Sequence, residues 1–577
     1  MDIRRGLAEL KRRKVYHVAV AYLVAAFAVW QVADIAFPSL GLPDTAVTLV
    51  LVLTLLGFPL ALVLAWAYEV RPEQPAMNPE RGTLPAGTTV PDALPIPDVR
   101  GEPGIAVLPF QDMATQAGSE YFTDGITEEL THALARVQGL RVAARTSAFA
   151  FRERQEDVRH IGRALGVQWV VEGSVRRHGE RLRVTAQLIE AETGYHRWSE
   201  RYERPIGDVF EVQDEIVNSL TATLLTQLPS RGTTPVPTTT DMAAYDAYLR
   251  GRHLARRFEP QPVKEAESAF REAVVRDEEF APGHAALAEV LTFQAVAFGV
   301  APAAALMPEA RNAAERALTL SPELPEAYMA RGLVRFFHDW EFDDARQDLE
   351  RAVSLSPSLV DGYLWLEFYY TYIEHDYARA AAALERALIL DPLNPGLLDR
   401  RGTLRMIFGR YEEAEADFRT VMENSGLGMG ALGMADLCSR TDRLEEAAEW
   451  GRKALEATQP PPNAFLGVVG AIFGMAGKTE EASALLRELE GRDERGFVPT
   501  FWLACVHDGL GNPDETFRML DQAVDERDPN LLYLTVLPRL AHAWDDPRFP
   551  GILRRIGLDH LLPTIMAEDA PGPEERT

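Results

Sequence analysis

The sequence predicts a multidomain chain: a two-helix transmembrane hairpin, then a small α+β domain, then an all-α solenoid of helical hairpins. Three observations carry this reading. Val15 to Ala33 and Ala46 to Tyr68 are apolar runs of about 20 residues, the length that crosses a hydrocarbon core. Residues 103–228 alternate between short strand-like and amphipathic helical patterns. Between residues 266 and 529 a small residue, a large apolar residue four later and an Ala about three beyond keep returning. The clearest copies are Ala345, Leu349, Ala352, Pro357 and Ala380, Leu384, Ala387, Pro392, 35 residues apart. A period this long belongs to stacked helix pairs that cannot bury their apolar stripes singly, and it speaks against an enzyme in this half of the chain.

The first element is a basic flank, residues 1–14, with Arg4, Arg5, Lys11, Arg12, Arg13 and Lys14. The hairpin follows at 15–69, and its turn from Pro38 to Thr45 has no Lys or Arg, so the charge bias puts both ends in the cytoplasm. A cleaved signal peptide would have one shorter run and a small-residue cleavage site. Trp30, Trp66 and Tyr68 stand near the run ends, where amphipathic rings favour headgroups. Asp34 reads as interfacial because Phe37 and Pro38 follow it, and Gly57 with Pro59 as a tolerated kink. Ala25, Ala26 and Ala28 permit close helix contacts, and so a homo-oligomer, without requiring one.

Residues 70–102 are a spacer stiffened by Pro72, Pro75, Pro79, Pro85, Pro91, Pro95 and Pro97. In the α+β domain, Ile105 to Phe110 and Leu140 to Ala144 read as strands. Thr123 to Arg136 reads as a helix capped by Thr123, and Asp157 to Leu165 as a helix closed by Gly166. Trp169 to Arg176 and Arg183 to Glu190 form a hairpin through His178 and Gly179, Tyr195 to Tyr202 extends the sheet, and Ile206 to Leu228 is an amphipathic helix. Residues 229–241 are a second linker, 242–529 hold about eight repeats, 530–566 form a helical cap and 567–577 a disordered acidic tail.

The repeats resemble the tetratricopeptide repeat family. Gly332, Gly402 and Gly470 match its small first-helix residue, Phe270, Phe418 and Leu520 its large second-helix residue, and Ala414 and Ala482 the small partner. An insertion through Phe293 to Met307 departs from the pattern, as do copies ending near Ser425 and Glu494 without the terminal proline. The resemblance implies a groove that binds other proteins or peptide segments. Its matching positions are Glu326, Met329, Leu333, Asp361, Leu364, Phe368 and Asp399, for which plain solvated surface is the alternative.

Residues 103–228 carry "IAVLPF", "YFTDGITEEL", "LRVAARTS", "ALGVQWVVEGSVRR" and "RVTAQLIEAETGYHRWSERYER", which look like the FlgO and TolB amino-terminal-domain families. The preceding hairpin is similar to that of bacterial proteins joining this domain to tetratricopeptide repeats. These resemblances imply a non-catalytic envelope or signalling module at the bacterial inner membrane. Some proteins with this module pair are labelled adenylate cyclase. No ligand is implied.

The residues themselves suggest little chemistry. A net charge of −27 opposes nucleic-acid binding, which needs a basic face. Cys438 and Cys505 each stand alone, so neither a disulfide framework nor a Cys-x-x-Cys metal site follows, and free buried thiols are expected. Gly428, Gly430 and Gly433 fit a Gly-x-Gly-x-x-Gly string, but no strand precedes them and they read as a flexible turn between repeats. Gly477, Lys478 and Thr479 imitate the end of a phosphate-binding loop, yet Ile472 occupies its first glycine position and the segment reads as an interhelix turn. Asp124, Glu128 and Glu129 lack a visible nucleophile or metal and read as caps complementing a helix dipole. Asp124, Glu172 and Ser174 are the candidates for a ligand cleft at the sheet's edge, against the alternative that Gly173 simply marks a close backbone approach. The twelve histidines have no metal-ligand spacing. We therefore expect no catalytic residue, cofactor or metal. The expected function is a membrane-tethered scaffold or signalling adaptor. An envelope assembly factor with periplasmic domains and a cyclase-associated signalling protein are the alternatives.

Overall fold

The computed structural model describes residues 102–563 apart from 114–119, 138, 153–155, 179–180, 206–207, 225–238, 258, 300, 494–496 and 537–539. The hairpin expected at 15–69, nearly all of the spacer at 70–102, most of 229–241 and the tail at 567–577 lie outside the described residues. Among the described residues no helix is long and apolar enough to cross a membrane.

Alternation builds the sheet. In β5 (Arg181–Glu190) the residues Leu182, Val184, Ala186 and Leu188 are buried while their neighbours are more open, the period-2 pattern of a half-buried strand. In chain order the domain runs β1 (Gly104–Val107), β2 (Gln111–Asp112), α1 (Glu120–Ala135), β3 (Arg141–Val142), α2 (Arg145–Phe149), α3 (Val158–Leu165), β4 (Trp169–His178), β5, β6 (His196–Pro205) and α4 (Val209–Leu224). Strand order is β3-β1-β4-β5-β6 with β2 also on β4; β1 pairs parallel with β3 and β4, whereas β4, β5 and β6 are antiparallel. One face of the sheet packs against α1 and α4 through Ile126, Leu130, Ile216 and Leu220, and the other against α3 through Ile161 and Leu165.

Local signals account for α3. The Asp157 side chain accepts a hydrogen bond from the Arg159 amide at 2.9 Å, and Gly166 closes the helix in the left-handed region at φ 64°. The expected start of α1 is corrected. The helix begins at Glu120, so Thr123 is not its cap but lies in the first turn, where its carbonyl accepts from Thr127 Oγ1 at 2.9 Å.

From Met242 the described chain forms eight antiparallel helix pairs. They are α5 (Met242–Ala255) with α6 (Pro260–Arg276), α7 (Ala281–Phe293) with α8 (Ala303–Leu320), α9 (Pro325–Val334) with α10 (Phe342–Leu355) and α11 (Val360–Tyr372) with α12 (Tyr377–Leu390). Next come α13 (Pro395–Ile407) with α14 (Tyr411–Ser425), α15 (Leu427–Arg440) with α16 (Leu444–Ala457), α17 (Asn463–Met475) with α18 (Thr479–Asp493) and α19 (Thr500–Gly509) with α20 (Pro513–Asp525). Two of the pairs are stitched by one device. Arg331 on α9 and Arg335 just after it both donate to Asp348 on α10, and Arg401 and Arg405 on α13 both donate to Asp417 on α14.

Small residues sit where backbones must close on large ones. A Cβ on Gly402 would lie 2.7 Å from the Phe418 ring, and one on Gly433 would collide with the same ring from the next repeat. This corrects the reading of Gly428, Gly430 and Gly433 as a flexible turn: all three lie in α15, and the turn itself is made by Gly426 at φ 91°. Because the Phe418 ring is held on both sides, Gly402→Val should cost about 1–3 kcal/mol through overpacking. A lowered urea midpoint with an unchanged m-value would register it.

The insertion after Phe293 becomes a π-helical turn, Gln294–Phe298, closed by Gly299 at φ 53°. A second such turn, Arg335–Asp339, follows α9 and was not expected. After α20 the chain does not simply end the stack. It forms a tight 3-10 segment (Pro529–Thr535), α21 (Ala541–Trp544) and α22 (Phe549–Arg555), and returns to repeats far earlier in sequence. Tyr533 meets Tyr372 edge-on at 5.3 Å, His560 Nε2 lies 2.8 Å from Ile373 O, and Arg527 donates to His338 O at 2.7 Å.

Candidate functional site

The α+β domain and the first repeats share one continuous core. Residues of the sheet and α1 cluster with Tyr245, Leu249 and Phe270 of the first helix pair. Gly125 permits the approach, since a Cβ there would stand 2.7 Å from the Leu249 side chain. Further along the repeats, the segment around β3 and α2 bonds to two inter-repeat loops. Ala144 N donates to Leu390 O at 2.8 Å, Val142 N to Ser358 Oγ at 3.1 Å and Ser147 N to Asp391 Oδ1 at 2.9 Å.

At this junction lies a cavity of about 130 Å³, walled on one side by α1 and the 142–146 segment and on the other by α5, Ser358, Asp361 and Asn394. Glu128 lines it. Its carboxylate accepts from Arg252 at 2.6 Å, is ion-paired with Arg256 and lies 3.7 Å from Arg145. Burial favours protonation of Glu128, but Arg256, Arg252, His132 and Arg145 together override it and hold the acid well below the usual range. Asp124, one turn earlier, pairs with Arg145 at 3.4 Å and with Arg152. Both acids are thus bound by guanidinium groups, so the expectation that Asp124 and Glu128 act as helix caps is corrected.

Glu129 lies beside a smaller recess lined by His132, Arg136, Tyr248, Arg252, Glu289 and Glu326. Burial and the adjacent Glu128 charge push its carboxyl up to about 7, and burial likewise pushes Glu289 up to about 7. Burial and Arg252 push His132 down to about 4. A carboxyl raised in the folded state contributes stability below its unfolded pKa and loses that contribution as pH rises through 7. Wild type should therefore lose on the order of 2 kcal/mol between pH 5 and 8 from Glu129, after discounting for partial exposure. Glu129→Gln should flatten that part of the profile in urea melts run across this pH range.

The groove candidates are dispersed by the fold. Glu326 pairs with Arg136 of the α+β domain at 3.2 Å. Met329 and Leu333 are core residues, 2% and 0% exposed. Leu364 and Phe368 are half-buried against the core, and Phe368 lies under the Arg400 guanidinium at 4.0 Å. Asp399 Oδ1 is buried without a hydrogen-bond partner, and burial pushes that carboxyl up to about 6 against the pull of Arg400. Asp361 opens into the junction cavity.

The cleft proposed from Asp124, Glu172 and Ser174 is not formed. β4 is an inner strand lying between β1 and β5, and Glu172 and Ser174 share a face with Val170, which packs toward α3. Asp124 is on α1, which covers the opposite face. Gly173 does mark a close approach, since a Cβ would stand 2.7 Å from Phe110. The arginines on and just after α5 were the missed residues. Their signal is the run Arg250, Arg252, Arg256, Arg257 in an otherwise acidic chain. Cys438 and Cys505 are buried and form no disulfide. Among the described residues no group of three or more His, Cys, Asp or Glu converges as a metal ion would need.

No known family profile matches the chain. A protein of Rhizobium meliloti (strain 1021) named "Putative adenylate cyclase 3" is 39% identical over 203 residues, covering 34% of this chain and 34% of that protein. The chain thus spans about a third of that relative's length. Among solved structures, a tetratricopeptide protein with an unusual peptide-binding site, YrrB, is 19% identical with a TM-score of 0.25, covering 33% of this chain and 93% of that one. Yeast Tom70 is 14% identical with a TM-score of 0.36, covering 61% and 77%. PilF of Pseudomonas aeruginosa is 16% identical with a TM-score of 0.29, covering 38% and 93%. The helical-repeat architecture rests on the chain's own eight helix pairs.

Proposed function

We propose that the protein is a non-catalytic scaffold, tethered to the bacterial inner membrane through residues 15–69, that presents its helical repeats to a protein partner. The observation that carries this reading is the run of eight consecutive helix pairs, an architecture whose extended surface is suited to binding another chain. Fusion of the repeats to the α+β domain through one core gives that surface a fixed base. Leu364, half-buried on α11, is an apolar groove candidate that can be touched without dismantling a charge pair.

In-cell crosslinking of the full chain, followed by capture, should recover a partner whose yield falls when Leu364 is changed to Glu. Recovery of no partner dependent on the repeats would count strongly against the scaffold. Reporter fusions after residue 100 and at the C-terminus should both report the cytoplasm, following the basic flank of residues 1–14. A periplasmic signal would favour the envelope-assembly reading instead. The second reading is a cyclase-linked signalling protein, favoured by the relative named as a cyclase. Turnover of ATP to a cyclic nucleotide by the purified full chain would replace the scaffold with an enzyme.

A further inference from the structure

The junction cavity holds charges of both signs, most of which already have partners. Glu128 is bound by Arg252 and Arg256, Glu326 by Arg136, and Asp391 by Ser147 and by Asn394 Nδ2 at 2.8 Å. What remains after those pairings is asymmetric. On the repeat wall Asp361, at the start of α11, is exposed to the cavity, with no hydrogen bond or ion pair among the described residues. Arg145 on the facing wall, and Arg256 just past α5 on the same side as Asp361, each keep a buried Nε–H without a hydrogen-bond acceptor, that of Arg145 lying 3.7 Å from Glu128. Four arginines (145, 152, 252 and 256) pair with three carboxylates there, Asp124, Glu128 and Glu289, so the arginine cluster keeps one positive charge in excess. That crowding adds to burial in pushing Arg145 down to about 9.

A simple anion would satisfy the guanidinium groups but meet the Asp361 carboxylate. A simple cation would satisfy Asp361 but meet three arginines. A molecule with one charge of each sign answers both groups. The cavity of about 130 Å³ is roughly ten times what one water needs, which suits a small organic molecule. Junctions between domains are also where such sites commonly form.

We propose that this cavity binds a small zwitterion of α-amino-acid size, its anionic group on Arg145 and Arg256 and its cationic group on Asp361. Binding would bridge the α+β domain to the fourth helix pair and stabilise their docking by mass action. The proposal does not depend on the scaffold reading, because its readout is ligand binding and not partner capture.

The test uses the full chain in lipid nanodiscs and a thermal-shift screen of the α-amino acids, each at about 10 mM, with acetate and n-butylamine as single-charge controls. At least one amino acid should raise the midpoint by about 3 °C or more, as a ligand present well above its Kd would. Calorimetry should then show at least about tenfold weaker binding to Asp361→Asn. Asp361→Ala provides a second variant, and the unliganded midpoints of both should stay near wild type, because Asp361 makes no hydrogen bond or ion pair among the described residues and feels Arg256 and Arg252 only at a distance. No shift with any amino acid would overturn the proposal. So would an equal shift with acetate or n-butylamine alone, or full binding by both Asp361 variants.

Discussion

Arg400→Met is expected to destabilise the chain by about 3–5 kcal/mol, because it strands a carboxylate in the interior of the repeats. Arg400 on α13 donates through Nε and Nη2 to Glu367 on α11 at 2.6 and 2.9 Å, and through Nη1 to the Tyr372 hydroxyl at 2.8 Å. The Glu367 side chain is 0% exposed and that of Arg400 9%, so no solvent replaces the lost partner. Thr371 Oγ1 also donates to Glu367 at 2.7 Å, too little to hold a buried charge alone. The loss is therefore a penalty for an unpaired charge and not a measure of what the pair contributes. A double variant, Glu367→Leu with Arg400→Met, removes both charges and should recover much of the loss. Urea unfolding of the two variants beside wild type decides the point: if the double variant is as unstable as the single, the penalty lies in lost packing under Phe368 and Tyr372.

Glu128→Ala is the second large effect, also about 3–5 kcal/mol. The side chain is 4% exposed and is the shared acceptor of Arg252 and Arg256, with Arg145 close by. Its removal leaves these guanidinium groups facing one another across the base of the α+β domain. Since α1 and α5 are joined by this charge and by apolar packing around Leu249, the junction should open before the distal repeats melt. Limited proteolysis should show accelerated cleavage within α5, while hydrogen exchange in α13 to α20 stays near wild type. Uniformly faster exchange throughout would mean the junction is not a separate step.

What the sequence disclosed follows the range of each signal. The helix pairs and the capped α3 were legible because their causes lie within a few residues: an Ala four before a Leu, an Asp before a helix, a Gly after it. The start of α1 was misplaced because Thr123 and Asp124 look like a cap locally, whereas burial against the repeats sets their roles. Gly430 and Gly433 were read as a turn because glycine serves turns and close packing equally, and only the position of Phe418 separates the two. Asp124, Glu172 and Ser174 group together only while the strand order is unspecified; with β4 an inner strand, Asp124 lies over one face of the sheet and Glu172 and Ser174 on the other. The junction cavity was illegible for the same reason. Arg145 and Arg252 are more than a hundred residues apart, and no local pattern links them.

The return of the C-terminal segment changes the mechanics of the array. A helical-repeat stack normally has nearest-neighbour contacts only, so its ends fray separately and its pitch can stretch like a spring. Here Tyr533 and His560 tie the far end back to the fourth helix pair, and Arg527 ties it to the third. A load applied at residue 563 would therefore pull on the middle of the stack at once. The coil is latched, and opening it requires unfastening the clasp before any single turn can extend.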